Sequence, residues 1–291
     1  MTAKPIGFIG LGLMGQGFTR RLRERGYGVV GFDTDSAKVV AAAAWGVKPA
    51  ASAAAVVEAC DVVLVCVINT AAVEDAAMGP RGALAAGALE GKIFVDHSTT
   101  ELEATKRIAE ALAARGMMFV DAPVSGGPGA AAAGTLAIMA GGAEGAIAVI
   151  ADVMAGLGKM THMGPVGTGQ ATKLVNQTLV LTNYCVLAEA LRLAQSHGVD
   201  ARKIPEALKS GHAGSNLLAA AFPQMVDEDF APRGFVRQVL KDLEMLQAAA
   251  RNKHLAMPMA SQALTLYRLL VASGKSELDA VSVVSLYPKP H

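Results

Sequence analysis

Residues 6–15 read IGFIGLGLMG, and this stretch decides the fold of the first part of the chain. A short apolar run that ends at Gly10 is typical of a buried strand, and the residues after it have the pattern of a helix. In such a turn Gly10 permits the tight bend, Gly12 lets the backbone approach a pyrophosphate, and Gly15 allows close helix–strand packing. The start of the helix would offer unpaired N–H groups to the anion. We therefore predict a dinucleotide-binding turn made of Gly10, Leu11, Gly12, Leu13, Met14 and Gly15.

A second strand, YGVVGFD over residues 27–33, is predicted to place a carboxylate near this turn. Asp33 follows Gly15 by 18 residues, a separation at which an acidic side chain accepts hydrogen bonds from the ribose hydroxyls. The same charge would repel the 2′-phosphate of NADP, and no arginine follows it, so the pattern favours NAD. The alternative is that Asp33 only caps the next helix.

Strands and helices alternate along the first part of the chain. Further strands are predicted over residues 61–69, 91–99, 117–124 and 136–142, with helices between several of them. This alternation is typical of an α/β fold with a mostly parallel sheet. From about residue 165 helical patterns replace the strands, over residues 167–196, 201–210, 214–226, 234–253, 257–272 and 276–286. We predict an α/β domain over residues 1–164 and an all-α domain over residues 165–291, joined by the long first helix.

Polar or small residues interrupt three of the predicted strands where ligands of such sheets bind. Val67, Ile68 and Asn69 end one strand, and Ser98 and Thr99 end the next. For Ser98 and Thr99 the alternative is an N-cap for the following helix. The third interruption, Ser125, Gly126 and Gly127, offers a hydroxyl and bare backbone N–H groups that suit a carboxylate. A turn whose glycines serve only its geometry is the alternative there.

The stretch GQATKLVNQ over residues 169–177 places a cation at the start of a long apolar helix. Lys173, Asn176 and Gln177 are spaced i, i+3 and i+4, so they share one helix face. The lysine could simply extend its ammonium group to solvent. If it is desolvated beside an oxidised nicotinamide, burial and like charge both favour the neutral amine. Lys173 could then exchange a proton with a substrate hydroxyl, while Asn176 and Gln177 hold that oxygen or a carboxylate.

Composition excludes several other classes of protein. The 291 residues carry a net charge of +1 without a long basic stretch, so a nucleic-acid partner is not indicated. The long helix has too few uncharged residues in a row to cross a bilayer, and no signal peptide is recognisable, so we expect no membrane partner. Three scattered cysteines indicate neither a disulfide framework nor a metal site. We expect a cytoplasmic protein. Its hydrophobic content of 52% suggests a homodimer or homotetramer.

Taken together, these motifs resemble those of the β-hydroxyacid dehydrogenase family, which includes 3-hydroxyisobutyrate dehydrogenase and tartronate semialdehyde reductase. GFIGLGLMG, VDHST, DAPVSGG, GTLAIMAGG, GQATKLVNQ and KDL occur in the family's order, from Ile6 to Tyr287. The resemblance implies a Rossmann domain followed by a long interdomain helix and an all-α domain. It also implies hydride transfer between NAD(P) and a small 3-hydroxy acid. Lys173 would be the general acid/base, and Ser125, Gly126 and Gly127 would bind the substrate carboxylate. Ser98 or Thr99, Lys241 and Phe235 would lie near the nicotinamide.

One departure from the family pattern bears on the substrate. The family commonly has Asn four residues after the lysine, whereas here Gln177 stands there and Asn176 precedes it. This order resembles the tartronate semialdehyde reductase and sugar-acid branches, with 3-hydroxyisobutyrate as the alternative substrate. The histidine of 6-phosphogluconate dehydrogenases is missing, which argues against a decarboxylating enzyme. The presence of Lys173 also argues against a non-catalytic NAD(P)-binding module and against an imine reductase.

Overall fold

The computed structural model describes residues 4–290. The chain divides into two compact units, Met1–Lys173 and Leu174–His291. The division falls inside the long helix, a few residues after the predicted domain boundary between residues 164 and 165. The first six residues of that helix, Thr168 to Lys173, therefore belong to the first unit.

The first unit contains one twisted sheet with the strand order of a dinucleotide-binding fold. The order is β3-β2-β1-β4-β5-β6-β8-β7, and β9 pairs with β8. The strands from β1 to β6 are parallel, while β8 runs antiparallel to β6 and β7. The prediction of a mostly parallel sheet is thus confirmed. The strands are β1 (Ile6–Ile9), β2 (Val29–Phe32), β3 (Val47–Pro49), β4 (Val62–Val65), β5 (Ile93–Asp96), β6 (Met118–Asp121), β7 (Val124–Ser125), β8 (Leu136–Gly141) and β9 (Gly158–Gly164).

Helices cover both faces of this sheet, which explains the continuous apolar runs in its strands. Successive side chains of β1 point to opposite faces, so Phe8 packs in one core cluster and Ile9 in the other. Phe18 and Leu22 of the first helix lie in the cluster of Phe8, and Val56 and Phe94 lie in the cluster of Ile9. The helices are α1 (Leu13–Glu24), α2 (Ser36–Ala43), α3 (Ala53–Ala59), α4 (Thr70–Met78), α5 (Leu102–Ala113), α6 (Gly127–Ala133) and α7 (Glu144–Leu157).

Some elements of the first unit differ from the predictions. Every residue of β9, GKMTHMG, is exposed or half-buried, so this strand lacks the apolar run of the central strands and was not predicted. Strand β3, which was not predicted either, is only three residues long. The small-residue segment after Ser125 does not continue as a turn, because helix α6 begins there at Gly127. Alanine, the best helix former, fills most of that helix.

The second unit is all-α, as predicted, and contains no strand between residues 174 and 290. Helix α8 (Thr168–Ser196) leads into it. After α8 come α9 (Ile204–Leu208), α10 (Asn216–Asp227), α11 (Val236–Asn252) and α12 (Pro258–Ala272). The last predicted helix, residues 276–286, is instead a 3₁₀ helix over Ala280–Leu286. Tyr267 and Phe222 are fully buried in the core of this unit. Across residues 4–290, helices long and apolar enough for a membrane span are absent.

Candidate active site

The predicted glycine turn lies at the point where the strand order of the sheet reverses. From β1 the chain moves outward to β2 and β3, and then returns to β4 on the other side of β1. The carboxyl ends of β1 and β4 meet there, since the Cys66 N–H donates to the Ile9 carbonyl over 2.9 Å. Ligands of open α/β sheets bind in the crevice at this point.

The three glycines of the turn differ in what surrounds them. Gly10 has a φ of +97°, and a Cβ there would lie 2.2 Å from the Cys66 carbonyl oxygen. A Cβ on Gly15 would lie 1.9 Å from the Gly10 carbonyl oxygen. At Gly12, by contrast, a Cβ would meet no atom of the described residues within 4 Å, and no side chain caps the start of α1 there. Packing therefore explains two of the glycines, while the bare backbone of Gly12 fits a close-lying pyrophosphate.

Asp33 faces this turn. Its Oδ2 accepts a hydrogen bond from the Leu11 N–H over 2.7 Å, and its Oδ1 accepts one from the Asp35 N–H over 2.8 Å. The cap of α2 is Asp35, whose carboxylate accepts from the Ala37 N–H, so the alternative role of Asp33 as a helix cap is wrong. Lys38, which sequence reasoning passed over, has its Nζ 3.8 Å from Asp33 Oδ1.

The polar residues after β4 and β5 have structural partners. Asn69 caps α4 by accepting a hydrogen bond from the Ala72 N–H over 2.9 Å, while Ile68 is exposed. The Ser98 hydroxyl accepts from the Val67 N–H over 2.9 Å, which joins the two loops. Thr99 is half-buried. The helix after them begins at Leu102 with Glu101 at its N-cap position, so Ser98 and Thr99 are not its caps.

The loop of Ser125, Gly126 and Gly127 has a fixed geometry. Strand β7 pairs with β8 through Val124 and Ser125, and the chain then turns through two residues with positive φ, +132° at Gly126 and +71° at Gly127. Residues with a side chain rarely adopt these angles. A Cβ on Gly127 would meet no atom of the described residues within 4 Å, so its backbone is open to a ligand.

Lys173 lies beside this loop and does not extend to solvent. The residue is 8% exposed, and its Nζ donates a hydrogen bond to the Val124 carbonyl over 2.7 Å. Val124 directly precedes Ser125, so the ammonium is placed at the start of the predicted carboxylate loop. Within the first unit, folding therefore brings Lys173 and the loop of residues 125–127 together across 46 to 48 residues of sequence.

In the second unit, the other predicted site residues form a polar chain. The Gln177 amide donates to Asp242 Oδ2 over 2.6 Å, and the Asn176 amide donates to Gln177 Oε1 over 2.8 Å. Lys241 Nζ lies 3.0 Å from Asp242 Oδ1. Sequence reasoning missed Asp242, although it belongs to the quoted KDL motif. Phe235 is not part of this polar chain. It directly precedes α11, and the Arg237 guanidinium lies 4.3 Å from the centre of its ring.

Three more buried polar residues of the first unit, close in sequence to the predicted site residues, were not predicted. Asp121 ends β6, and burial raises the pKa of its carboxyl to about 6, although hydrogen bonds from Gly167 and Gln170 oppose the shift. Burial lowers the pKa of the His97 imidazole to about 4. Gln170 is 1% exposed and bonds to the loop after β5. The signal that could have found them was their place inside the motifs VDHST, DAPVSGG and GQATK. Among residues 4–290, no cluster of three or more His, Cys, Asp or Glu side chains could hold a metal ion.

The two halves of the chain match two family models. Residues 5–166 match the NAD-binding domain of 6-phosphogluconate dehydrogenase, and residues 167–287 match a domain described as the NAD-binding part of NADP-dependent 3-hydroxyisobutyrate dehydrogenase. The two matches leave few residues of the chain uncovered.

Similar proteins match over nearly the whole length. The NAD-dependent L-serine dehydrogenase of Pseudomonas aeruginosa is 34% identical over 98% of both chains. The L-threonate dehydrogenase of Cupriavidus necator is 30% identical over 98% of this chain and 97% of its own. The crystal structure of a 3-hydroxyisobutyrate dehydrogenase from Salmonella typhimurium superimposes with a TM-score of 0.87 and 27% identity, covering 97% of this chain and 99% of that one. A dinucleotide turn, a buried lysine and relatives that dehydrogenate hydroxy acids thus agree, and the chain belongs to the β-hydroxyacid dehydrogenase family of NAD(P)-dependent oxidoreductases acting on CH–OH groups.

Proposed function

We propose that this enzyme interconverts a small, highly hydroxylated 3-hydroxy acid and its semialdehyde or keto form, as a tartronate semialdehyde reductase or sugar-acid dehydrogenase does. One observation carries the proposal: the buried Lys173 ammonium is held 2.7 Å from the carbonyl that precedes the Ser125–Gly126–Gly127 loop. A proton donor and acceptor thus lies beside groups that can bind a carboxylate.

Different residues of the first unit carry the separate parts of the reaction. When bound, NAD or NADP supplies or accepts the hydride. Lys173 takes the hydroxyl proton during oxidation and returns it during reduction. The Ser125 hydroxyl and the N–H groups of Gly126 and Gly127 bind the carboxylate, which orients the reacting carbon. The Val124 carbonyl holds the protonated lysine in place.

The order Asn176–Gln177 supports a hydroxylated substrate, because it resembles that of the sugar-acid branches. The names of two relatives, L-threonate and L-serine dehydrogenase, point to polar substrates as well. The second candidate is 3-hydroxyisobutyrate, favoured by the similarity to a 3-hydroxyisobutyrate dehydrogenase structure. That Asn176 and Gln177 contact the substrate stays a prediction, as do the roles of Phe235, Lys241, Ser98 and Thr99 at the cofactor.

A substrate panel tests the proposal. NADH oxidation is measured with tartronate semialdehyde, methylmalonate semialdehyde and a cyclic imine, and NAD reduction with L-threonate, L-serine and 3-hydroxyisobutyrate. We expect the highest kcat/KM with an acid that carries a second hydroxyl or amino group. A clear preference for methylmalonate semialdehyde and 3-hydroxyisobutyrate would support the second candidate. Activity with the imine alone would overturn both.

We further propose that NAD is preferred over NADP. Asp33 lies at the end of β2 with its side chain 10% exposed and directed at the glycine turn. A carboxylate at this place accepts hydrogen bonds from ribose hydroxyls and repels a 2′-phosphate. Lys38 moderates this repulsion, because its ammonium lies beside both Asp33 and Asp35.

Assembly into a homodimer or homotetramer is also proposed. Leu179, Val186 and Leu193 are 61%, 54% and 62% exposed and follow one another at intervals of seven residues on α8. Seven residues are close to two turns of helix, so the three side chains form one apolar stripe. Light scattering coupled to gel filtration would measure the assembly, and a Val186→Lys variant should shift it toward the monomer.

The buried thiols of Cys60 and Cys185 support the proposal of a reducing, cytoplasmic location.

A further inference from the structure

Helix α8 begins on a buried carboxylate. Asp121, at the end of β6, accepts hydrogen bonds from the N–H groups of Gly167 and Gln170, each over 2.8 Å. The first N–H groups of a helix have no partner within the helix, so these two bonds act as a cap supplied by a distant strand. A Cβ on Gly169 would lie 2.4 Å from the Asp121 carbonyl oxygen, which shows how closely the helix start packs on β6.

The Gln170 side chain makes a second attachment, to the loop after β5. Its Nε2 donates to the Ser98 carbonyl over 2.8 Å, and its Oε1 accepts from the Thr100 N–H over 3.1 Å. The same loop is joined to the end of β4, because the Ser98 hydroxyl accepts from the Val67 N–H. Gln170 therefore connects the predicted cofactor loops with the helix that carries Lys173.

The segment of helix between Gln170 and Lys173 is short and rigid. Three residues of α-helix rise about 4.5 Å and bring the side chains to nearly the same face. A shift of the helix at Gln170 is thus passed on to Lys173 with little loss. The Lys173 ammonium has to stay within hydrogen-bonding range of the substrate oxygen, and a misplacement of about 1 Å can cost about 100-fold in rate.

We propose that Gln170 is a positioning residue that sets the location of the Lys173 ammonium relative to the cofactor loops. The inference rests on the proposed role of Lys173 as the acid/base group. The Gln170 amide bonds to backbone groups of the protein and acts on the reaction through the helix. Its effect on turnover should therefore depend on the presence of the lysine.

A double-mutant cycle on the full-length enzyme tests this dependence. Gln170→Leu removes both side-chain hydrogen bonds, and Thr172→Val is the matched control, because the Thr172 hydroxyl bonds within α8 to the Thr168 carbonyl. We expect Gln170→Leu to lower kcat roughly 10- to 100-fold, with the dissociation constant of NADH, measured by fluorescence, within about threefold of the wild type. Thr172→Val should stay within about twofold of the wild type in both quantities.

The second arm of the cycle repeats Gln170→Leu in the Lys173→Ala background. We expect less than about a twofold further loss there, because no ammonium remains to be positioned. An equal loss in both backgrounds, or an unchanged kcat in Gln170→Leu, would overturn the inference. If Lys173→Ala alone keeps full turnover, the proposed function fails first. Should Gln170→Leu not fold, Gln170→Glu, which keeps an acceptor for the Thr100 N–H, carries the same cycle with the same criteria.

Discussion

The Lys173 ammonium donates a hydrogen bond to the Val124 backbone carbonyl over 2.7 Å. This contact joins helix α8 to the end of strand β7 and leaves the lysine next to Ser125. An ammonium group has three N–H donors, and the bond to Val124 fixes the direction in which the group points. The bond gives the buried lysine at the start of a long apolar helix a polar partner.

The first prediction concerns Gly12. Since a Cβ there meets no atom of the described residues within 4 Å, Gly12→Ala should fold, with a melting temperature only a few degrees lower because alanine is a poorer N-cap of α1 than glycine. It should nevertheless weaken NADH binding roughly tenfold or more, because the methyl group enters the space of the pyrophosphate. Fluorescence titration and thermal unfolding measure the two effects. Gly15→Ala is the contrast, since its Cβ clashes with the Gly10 carbonyl and should destabilise the fold itself.

The second prediction concerns the choice of cofactor. Asp33→Asn removes the charge that opposes a 2′-phosphate and leaves the Lys38 ammonium beside it. The ratio of kcat/KM for NADP to that for NAD should rise roughly 10- to 100-fold. Asp35→Asn is the matched control, because it removes a neighbouring charge while Asn remains a good helix cap. An equal change in both variants would mean that general charge, and not the position of Asp33, sets the preference.

The third prediction concerns the buried carboxylate of the second unit. Gln177→Leu leaves Asp242, which is 8% exposed, without the amide that donates to it over 2.6 Å. The free energy of unfolding in urea should fall by about 1–3 kcal/mol. Gln262→Leu, the same change at an exposed position of α12 in the second unit, should change it by less than about 0.5 kcal/mol. Equal stability of both variants would show that the Gln177–Asp242 bond contributes nothing.

The fourth prediction concerns pH and stability. The His97 Nδ1 bonds to the Ala122 carbonyl, so it carries the proton of the neutral ring, and burial lowers the pKa of this imidazole to about 4. The unfolded chain, with an ordinary histidine, binds the proton from about pH 6.5 downward. His97 therefore costs stability as the pH falls from about 6.5 to about 4, by about 3 kcal/mol in all.

The contribution of Asp121 to stability changes with pH in the opposite direction, over nearly the same pH range. Burial raises its pKa to about 6, so the folded state gains stability as the pH falls through that value toward the ordinary pKa of about 4. The two contributions largely cancel in the wild type. His97→Phe, which keeps a ring against Phe18, should become more stable relative to the wild type by about 3 kcal/mol between pH 7 and pH 4. Parallel pH profiles of the two proteins, measured by urea unfolding, would contradict this assignment.

What could be predicted from sequence follows from the range of each interaction. The glycine turn and the apolar strands are local patterns with a single physical meaning, so β1, β2, β4 and β5 were found. Strand β9 was missed because pairing with β8 holds it and no apolar alternation of its own marks it. Helices α3 and α4 are short and depend on their caps, Ser52 and Asn69, more than on a long amphipathic pattern. A search for helical periodicity therefore gives little sign of them.

The site residues also divide into those that a local pattern reveals and those that depend on contacts distant in sequence. Lys173 was found because a cation on an apolar helix is visible in the sequence. Its partner Val124 is 49 residues away and contributes only a backbone carbonyl, which no side-chain pattern reveals. The bonds of Gln170 to Ser98 and Thr100 span 72 and 70 residues, so the role of that amide becomes visible only in the fold.

Lys173→Ala, compared with the wild type and with Lys106→Ala, tests the central claim most directly. Lys106 is an exposed lysine of α5 that pairs with Glu103, so it controls for the loss of a positive charge. With the best substrate of the panel, kcat of Lys173→Ala should fall at least about 100-fold while NADH still binds, because general acid–base catalysis is lost and the cofactor turn is intact. Turnover within about twofold of the wild type in both variants would contradict the assignment of Lys173 as the acid/base group.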